Sequence, residues 1–563
     1  MNITSSDFPQ RRARMIASGA WQDMTIADYL DQAVTCVPDK TALVNYRVAS
    51  DERIELSYRR LNELTTRVAA GLVGLGIGKG DVVACQLPNW WQLTLLSLAC
   101  ARIGAVINPL MPIFRERELR FMLAHADTRV FVVPHSYRNF DYPGMVENIR
   151  ADLPSLDHVL VVGGEGADSF EQVLLERAWE AEMDTAALFA ERKLGADDVA
   201  QMLYTSGTTG EPKGVLHTYN TLFSNVRPYA ERLQLGVDDV VMMASPLAHQ
   251  TGFLYGVLMP VYLQATTVLQ DLWDARYAVK VAAAEKPTFT MASTPFLADL
   301  IDVAPEFPGQ LDSLKVFVAA GAPIPGALVE KAAQVVNARV VSAWGMTENG
   351  AVTTTQFDDP VSRASSSDGV ALPYMEVRVV DDQQQPLPAG QEGDLQVRGA
   401  SNFVGYLKRP ELYQVDSEGW FDTGDLATIS AEGYIRITGR TKDVIIRGGE
   451  NIPVVELENL LYKHPAIAAV ALVGCPDLRL GERMCAYVTL HGGYTTLSLD
   501  ELTQYLSAEG VSRNYLPEYL EVMAELPRTP SGKIQKFKLR EMAEQLNLAP
   551  AKNTQSTAQS QSQ

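Results

Sequence analysis

The sequence predicts an α/β fold, in which a large N-terminal domain of βα sheets carries a β-rich subdomain and a small α+β domain follows. First, apolar helical patterns alternate with short apolar strand patterns over roughly the first two hundred residues, which is typical of mainly parallel sheets covered on both faces. Second, short strands and turns follow Pro373 and indicate the β-rich subdomain. Third, a chain of 563 residues is too long for one ordinary domain, and its hydrophobic content of 47% is enough for a large core.

In the N-terminal part, residues 61–75 have the apolar spacing of a helix, and residues 81–87 that of a short strand. Residues 93–110 are the most apolar stretch, but Arg102 interrupts it and Pro109 ends it. A membrane-spanning helix needs ~20 apolar residues. We therefore expect a buried helix that runs into a strand, and no transmembrane segment.

Further βα units are expected downstream. The predicted strands are residues 199–204, 240–245, 289–292 and 314–319, and residues 327–337 are a predicted helix. The β-rich subdomain is predicted to contain strands at residues 376–381, 393–398 and 433–438.

A change of pattern at residues 439–443 marks a domain boundary. Beyond it we expect a helix at residues 454–464, a strand at 468–473, its partner at 485–490, and a helix that begins at the capping box Ser498-x-x-Glu501. The expected domains are residues 1–439 and 440–545. Residues 546–563 form a tail in which Gln, Ser, Thr and Ala dominate, and the prediction for it is disorder.

The charge balance excludes some partners. With 48 basic and 68 acidic residues the net charge is −20, which argues against general nucleic-acid binding and against adhesion to anionic membranes. The five cysteines show no C-x-x-C pair and no His cluster, so neither a disulfide framework nor a zinc site is indicated. The N-terminus has no apolar segment of a signal peptide, and a cytoplasmic location is expected.

The stretch Tyr204-Thr-Ser-Gly-Thr-Thr-Gly-Glu-Pro-Lys-Gly214 predicts a phosphate-binding loop. It combines three glycines, four Ser and Thr hydroxyl side chains and one lysine. Glycine allows the main chain to approach a ligand closely, and successive N–H groups form an anion-binding concavity. The spacing does not match the G-x-x-x-x-G-K-[ST] pattern of a P-loop NTPase. The hydroxyl and glycine donors and the lysine are Thr205, Ser206, Gly207, Thr208, Thr209 and Lys213.

This loop resembles the signature of the adenylate-forming superfamily, which includes acyl-CoA synthetases, aryl-acid ligases, peptide-synthetase adenylation domains and luciferases. Further family motifs follow in the family's order. In Trp344-Gly345-Met-Thr347-Glu348 the resemblance places Trp344 and Gly345 beside adenine and Thr347 at the α-phosphate, and it makes Glu348 the Mg²⁺ ligand. The turn Gly321-Ala322-Pro323 resembles the family's adenine-holding segment.

Three more motifs carry roles by resemblance. Asp425 is expected to accept hydrogen bonds from the ribose hydroxyls, and Arg440 to reach ribose or phosphate. Lys442 occupies the hinge position, where many family members carry aspartate. Gly448 and Gly449 are expected to lie against the pantetheine of coenzyme A.

Lys533 matches the family lysine that bridges the acyl carboxylate and the α-phosphate. His249, in Ser245-Pro-Leu-Ala-His-Gln-Thr-Gly-Phe253, is expected near the acyl carboxylate, with Gly252 opening space beside it. The sequence near His249 has no Lys or Arg, so a second charge on the acid is disfavoured. The resemblance thus implies a mobile C-terminal domain and a catalytic set of Lys533, Thr347, Glu348 and His249.

The resemblance is strongest to bacterial short- and medium-chain acyl-CoA ligases and cyclohexanecarboxylate-CoA ligases. It implies ATP, Mg²⁺ and coenzyme A, an apolar monocarboxylic acid as substrate, and leaves a homodimer open. Three alternatives remain: an aryl-acid ligase, an acyl-AMP ligase that loads a carrier protein, and a non-catalytic nucleotide-binding sensor. The first is suggested by Gln250, which could meet a ring substituent; no carrier domain is seen after residue 545.

Overall fold

The computed structural model describes residues 8–205, 212–321, 324–336, 338–440, 444–447, 450–452, 454–477, 481–511, 513–529 and 532–546. The predicted disordered tail lies almost entirely outside these residues. By contacts between α-carbons the chain divides into two compact units, each described separately below. The first contains Met1–Thr423, Ala427–Ile437 and Pro530–Lys533, and the second contains Gly424–Leu426, Thr438–Thr529 and Ile534–Gln563.

The α-helices of the described residues, in chain order, are α1 (Phe8–Ala17), α2 (Ile26–Cys36), α3 (Tyr58–Gly74), α4 (Trp91–Ile103), α5 (Glu116–His125), α6 (Tyr142–Arg150), α7 (Thr185–Arg192), α8 (Tyr219–Arg232), α9 (Gln250–Gly252), α10 (Met259–Leu263), α11 (Ala275–Glu285), α12 (Thr294–Val303), α13 (Gly326–Val335), α14 (Arg363–Ser366), α15 (Val454–Leu461), α16 (Leu499–Ala508) and α17 (Lys536–Leu546).

The strands are β1 (Thr41–Arg47), β2 (Glu52–Ser57), β3 (Val82–Cys85), β4 (Val106–Pro109), β5 (Thr128–Pro134), β6 (Ser136–Tyr137), β7 (Phe140–Asp141), β8 (His158–Val162), β9 (Val199–Thr205), β10 (Lys213–Thr218), β11 (Val240–Met243), β12 (Thr266–Gln270), β13 (Phe289–Ala292), β14 (Val316–Ala320), β15 (Arg339–Met346), β16 (Gly350–Thr354), β17 (Val370–Ala371), β18 (Met375–Val380), β19 (Gly393–Gly399), β20 (Gly405–Tyr406), β21 (Phe421–Ile429), β22 (Ile435–Arg440), β23 (Ile445–Arg447), β24 (Glu450–Ile452), β25 (Ile467–Asp477), β26 (Gly481–Leu490) and β27 (Tyr519–Val522).

Two large sheets organise the first unit. One has the strand order β17-β16-β15-β14-β13-β11-β12-β1-β2 and the other β20-β10-β9-β4-β3-β5-β8. From β15 to β1 the strands of the first sheet pair in parallel, as do β9, β4, β3, β5 and β8 of the second. This arrangement confirms the βα sheets predicted from the alternating pattern.

The largest apolar core joins these sheets. It contains residues of β3, β4 and β5 from one sheet, residues of β11, β13 and β14 from the other, and residues of α2, α3, α4 and α8. Every residue of α4 except Arg102 is buried. The apolar stretch at residues 93–110 is therefore a core helix followed by β4, as predicted. In the described ranges, no helix has both the length and the apolar character that crossing a membrane requires.

A four-stranded sheet of order β18-β19-β21-β22 follows the two large sheets and is the β-rich subdomain that the change of pattern predicts. Its strands β18 and β19 pair antiparallel, with Val377 opposite Val397. The two valines belong to one apolar cluster that also contains Trp344 and Tyr406. The subdomain core thus shares residues with β15, which carries the motif residue Trp344, and with β20.

The second unit contains a sheet of order β24-β23-β26-β25, with β27 paired to β26. The predicted partner strands are confirmed, because Val473 lies opposite Cys485 in an antiparallel pair. The capping box is also confirmed: the Ser498 side chain accepts from Glu501 N, and the Glu501 carboxylate accepts from Ser498 N. These reciprocal bonds satisfy donors that a helix start leaves unpaired.

Candidate active site

The phosphate-loop motif lies between two antiparallel strands. β9 ends at Thr205 and β10 begins at Lys213, and these two residues are paired across the strands. Since β9 is parallel to β4, the loop leaves the carboxyl end of a parallel strand, where ligands bind in open α/β sheets. Ser206, Gly207, Thr208 and Thr209 lie outside the described residues.

Lys213 lies beside an aromatic ring that the sequence analysis did not single out. Its Nζ is 5.0 Å from the ring centroid of Tyr406, a distance at which a cation is attracted to the face of the ring. Tyr406 is on β20, which pairs with β10 so that Val215 lies opposite it. The Tyr406 hydroxyl donates a hydrogen bond to Oε1 of Glu348, at 2.8 Å.

The Trp344–Glu348 motif forms the hairpin between β15 and β16. A Cβ atom on Gly345 would lie 1.8 Å from the carbonyl oxygen of Gly350, so this position accepts only glycine without movement of the backbone. Trp344 is 9% exposed and packs in the cluster of the β-rich subdomain. Glu348 is 6% exposed, so it is largely buried although Gly345 of the same motif is exposed.

Two hydrogen bonds to backbone carbonyl oxygens fix the turn between β15 and β16. His217, on β10, has its Nε2 2.8 Å from the carbonyl oxygen of Thr347 and its Nδ1 3.0 Å from Oγ1 of Thr221. The amide of Phe403 donates to the carbonyl oxygen of Glu348, at 2.7 Å. Burial lowers the pKa of His217 to about 4, so at neutral pH the ring is uncharged. Nε2 then carries the proton that the Thr347 carbonyl accepts.

His249 is the N-cap residue of α9, and its Nδ1 accepts from the amide of Thr251, at 3.3 Å. Burial, and secondarily the charge of Lys533, lower the pKa of His249 to about 4. The expectation that Gly252 opens space beside His249 is wrong. A Cβ atom there would lie 2.1 Å from the Pro246 carbonyl oxygen, so glycine is required by the neighbouring backbone.

Gln250 is buried next to His249, with 3% exposure. Among the residues that the structure describes, neither its Oε1 nor its Nε2 has a hydrogen-bond partner. Buried polar groups are nearly always hydrogen-bonded, so such an amide needs an explanation.

Lys533 belongs to the same compact unit as His249, in the short segment Pro530–Lys533. The preceding Gly532 has φ +83°, and a Cβ atom on it would lie 2.7 Å from Oγ of Ser293. The segment that carries Lys533 therefore packs closely against the start of α12, where the larger side chain of any other residue would have to displace Ser293.

The other predicted residues are distributed as follows. Asp425 lies buried on β21, directly after Gly424 with φ +70°. Arg440 is the last residue of β22. Gly321 follows β14 with φ +82°, a conformation that favours glycine. Ala322, Pro323, Lys442, Gly448 and Gly449 lie outside the described residues.

Sequence reasoning missed His217 and Tyr406. His217 follows Val215 and Leu216 in β10, and a polar residue directly after two apolar ones was the one available signal. Its partner is a backbone oxygen, which no sequence pattern marks. Tyr406 was missed because its hydrogen-bond partner Glu348 is 58 residues away in the chain.

Comparison with known proteins gives a consistent picture. The chain matches the family model described as AMP-binding enzyme over residues 30–407 and that of the AMP-binding enzyme C-terminal domain over residues 456–533. A medium-chain fatty-acid–CoA ligase of Escherichia coli (strain K12) is 37% identical over 546 residues, which is 96% of this chain and 94% of the relative. A salicylyl-CoA synthase / salicylate adenylyltransferase of Streptomyces sp is 33% identical over 542 residues, 95% and 97% of the two chains.

A solved structure is similar over nearly the whole chain. ATP-bound MatB from Rhodopseudomonas palustris has a TM-score of 0.79 and 26% identity, and covers 92% of this chain and 99% of its own.

Proposed function

Because the chain belongs to the AMP-binding enzyme family, the AMP-forming acyl-CoA synthetases of the adenylate-forming superfamily, we propose that it activates an apolar monocarboxylic acid, medium-chain fatty or alicyclic. In the first half-reaction the carboxylate attacks the α-phosphorus of ATP, forming acyl-AMP and releasing pyrophosphate. In the second, the thiol of coenzyme A attacks the acyl carbonyl, giving the thioester, AMP and a proton. The observation that supports this most directly is the position of Lys533 in one compact unit with His249, close enough for its charge to affect the pKa of that histidine.

The first half-reaction brings one anion to another, so preorganised positive groups and donors lower its barrier. We assign Lys533 to the acyl carboxylate and α-phosphate, and Thr347 to the α-phosphate. Lys213 and the hydroxyl and amide donors of the loop at residues 205–209 bind the outer phosphates. His249 is assigned to a place next to the acyl group. Because it is uncharged at neutral pH, it adds no positive charge that would stabilise the carboxylate of the unreacted acid.

Gly321, Ala322, Pro323, Trp344 and Gly345 are assigned to adenine. Asp425 is assigned to the ribose hydroxyls, with Arg440 at ribose or phosphate. A buried carboxylate such as Asp425 accepts hydrogen bonds in a poorly solvated site, where they are stronger than in water.

The donor chemistry of Glu348 fits Mg²⁺. A carboxylate is the hard oxygen ligand that this ion prefers, and Mg²⁺ in phosphate sites takes one or two carboxylates together with phosphate oxygens and waters. Within the described residues, no three metal-binding side chains come together, and this ligand set needs no such group. When bound, the ion offsets the charge of the triphosphate and of departing pyrophosphate.

The second half-reaction needs a path for the thiol. We propose that residues 1–439 and 440–545 are the two domains, and that the C-terminal one changes position about Lys442 between the half-reactions. That change withdraws Lys533 and brings Gly448 and Gly449 to the pantetheine. Glycine suits this place because a side chain would block the thiol's approach.

One observation supports a second candidate, an aryl-acid CoA ligase. The buried amide of Gln250 has no hydrogen-bond partner among the described residues, and a ring hydroxyl would supply one. The relative named as a salicylyl-CoA synthase and a relative named as a putative acyl-CoA synthetase have a similar sequence identity to this chain.

Compartment and assembly are part of the proposal. All five cysteines of the chain are free thiols, four of them buried, which agrees with a reducing cytoplasm. A homodimer remains a prediction, and light scattering of the protein during size-exclusion chromatography checks it.

An acid panel tests the proposed function. The purified protein is given ATP, Mg²⁺, coenzyme A and one acid at a time: hexanoate, octanoate, decanoate, cyclohexanecarboxylate, benzoate or salicylate. We expect equal amounts of AMP, pyrophosphate and thioester with the apolar aliphatic acids. A preference for salicylate favours the aryl-acid candidate, and AMP and thioester formation with none of the acids contradicts both.

A further inference from the structure

One buried tyrosine contacts two groups to which the proposed function gives separate roles. The ring of Tyr406 lies 5.0 Å from Nζ of Lys213, and its hydroxyl is 2.8 Å from Oε1 of Glu348. Tyr406 itself is 3% exposed. It thus connects the lysine at the end of the phosphate loop to the carboxylate of the β15–β16 turn.

The position of Tyr406 is fixed by its neighbours on both sides. The amide of Leu407 donates to the carbonyl oxygen of Gly214 at 2.8 Å, and the amide of Phe403 donates to that of Glu348 at 2.7 Å. The rings of Phe403 and Tyr406 pack edge to face with centroids 4.8 Å apart. The short segment 403–407 is therefore anchored to β10 at one end and to the Glu348 turn at the other.

The hydroxyl of Tyr406 donates to Glu348. A phenol keeps its proton at neutral pH, because its ordinary pKa is about 10. The Glu348 carboxylate therefore accepts the hydrogen bond of 2.8 Å. A carboxylate has about four lone-pair positions, so it can accept this hydrogen bond and bind a cation at the same time.

We propose that Tyr406 is a positioning residue that holds the Glu348 carboxylate in the orientation needed for the metal–nucleotide complex, while its ring places Lys213. The inference rests on the proposed function, in which Glu348 binds Mg²⁺ and Lys213 binds phosphate. Partners that orient a metal-binding carboxylate are worth roughly 10–100-fold in metal affinity. The hydroxyl and the ring thus have separable effects.

The substitution Tyr406→Phe separates these effects, because it removes the hydroxyl and keeps the ring beside Lys213. The probe is α,β-methylene-ATP, which binds without reacting, and its Kd is measured by calorimetry with Mg²⁺ and again with EDTA. We expect the Kd with Mg²⁺ to rise roughly tenfold or more, while the Kd with EDTA stays unchanged. Tyr406→Leu, which also removes the ring, is expected to raise both values.

Tyr58→Phe is the matched control. Tyr58 is equally buried, and its hydroxyl donates to the carbonyl oxygens of Ala265 and Pro260, at 2.7 and 3.0 Å. Its removal should leave both Kd values unchanged. The ratio of the two Kd values within one variant is insensitive to the fraction of protein that folds, so a less stable Tyr406→Phe still gives an answer.

The double variant E348A/Y406F tests whether the tyrosine acts through Glu348. We expect it to match E348A alone in the ratio of the two Kd values. An unchanged ratio in Tyr406→Phe, or an additive loss in the double variant, would overturn the inference. If those results come with acid-dependent AMP formation by the unmodified protein, the proposed function stands and only the role of Tyr406 is wrong. If the unmodified protein forms neither AMP nor thioester with any acid, the proposed function fails as well.

Discussion

The Nε2 atom of His217 lies 2.8 Å from the carbonyl oxygen of Thr347, although the two residues are 130 positions apart in the chain. His217 is on the strand that follows the phosphate loop, and Thr347 is on the turn that carries Glu348. The hydrogen bond therefore links the two segments that the proposed function places around the phosphates of ATP. A change at His217 should affect this alignment without removing any group that touches substrate.

We expect His217→Leu to lower the rate of acid-dependent ATP–pyrophosphate exchange about tenfold, because the partly buried Thr347 carbonyl loses its hydrogen-bond donor, a cost of about 1–3 kcal/mol. His158→Leu is the control, since His158 makes a similar bond to the Leu75 carbonyl, at 3.0 Å, away from the motifs. Equal losses in the two variants would mean that His217 acts only through general stability.

The stability of the protein should depend on pH through two histidines, the buried His217 and the partly exposed His249. The pKa values of His217 and His249 are both lowered from 6.5 to about 4. The unfolded chain therefore takes up protons that the folded one does not, and stability falls as the pH drops from 6.5 toward 4. For a shift of this size the loss is about 3 kcal/mol per histidine.

Urea unfolding at about pH 7 and about pH 5 measures this effect. His217→Leu should be less stable at the higher pH but should lose less stability on acidification than the unmodified protein. Identical losses in both proteins would show that His217 takes up its proton in the folded state.

Asp425 should affect the binding of ATP specifically. We expect Asp425→Ala to raise the KM for ATP roughly 10–100-fold, because two hydrogen bonds to a charged acceptor are lost, with little change in the KM for the acid. Asp422→Ala is the control, since Asp422 is exposed on the same strand. The assignment to ribose is wrong if the KM for the acid rises as much as that for ATP.

Gly532→Ala should disturb the segment that carries Lys533. Gly532 has φ +83°, and its added Cβ would lie 2.7 Å from Oγ of Ser293. We expect ATP–pyrophosphate exchange to fall about tenfold, from backbone strain of about 1–2 kcal/mol together with that overlap. Ser293→Ala in the same chain should restore part of the loss.

Gly510→Ala is its matched control, because Gly510 has φ +86° and nothing within 4 Å of an added Cβ. It should cost similar stability and leave the exchange rate unchanged. A fall in exchange with Gly510→Ala equal to that with Gly532→Ala would remove the argument from the Ser293 contact.

Local patterns in the sequence predicted individual elements well. The strand predicted at residues 289–292 is β13 with the same bounds, and the capping box at Ser498 begins α16. These signals depend on neighbouring residues alone. The antiparallel pair of β25 and β26 was predictable for the same reason, since its strands follow each other closely in the chain.

Long-range relationships were not predictable in this way. Leu43 of β1 lies opposite Thr267 of β12, and nothing in either strand identifies the other. A glycine within a motif was also misread, because the backbone conformation of its loop is not visible in the sequence: a Cβ atom on Gly252 would meet the Pro246 carbonyl instead of open space. Tyr406 shows the same limit at the site itself, because its role depends on a pairing of β20 with β10.

The most direct test of the central claim separates the two half-reactions in Lys533→Ala. Acid-dependent ATP–pyrophosphate exchange measures adenylation, and thioester formation from supplied acyl adenylate and coenzyme A measures the second step. We predict that the substitution abolishes the exchange and spares thioester formation, because only the first step needs the ammonium between carboxylate and α-phosphate. Equal loss of both activities, or exchange that persists without Lys533, would contradict the account.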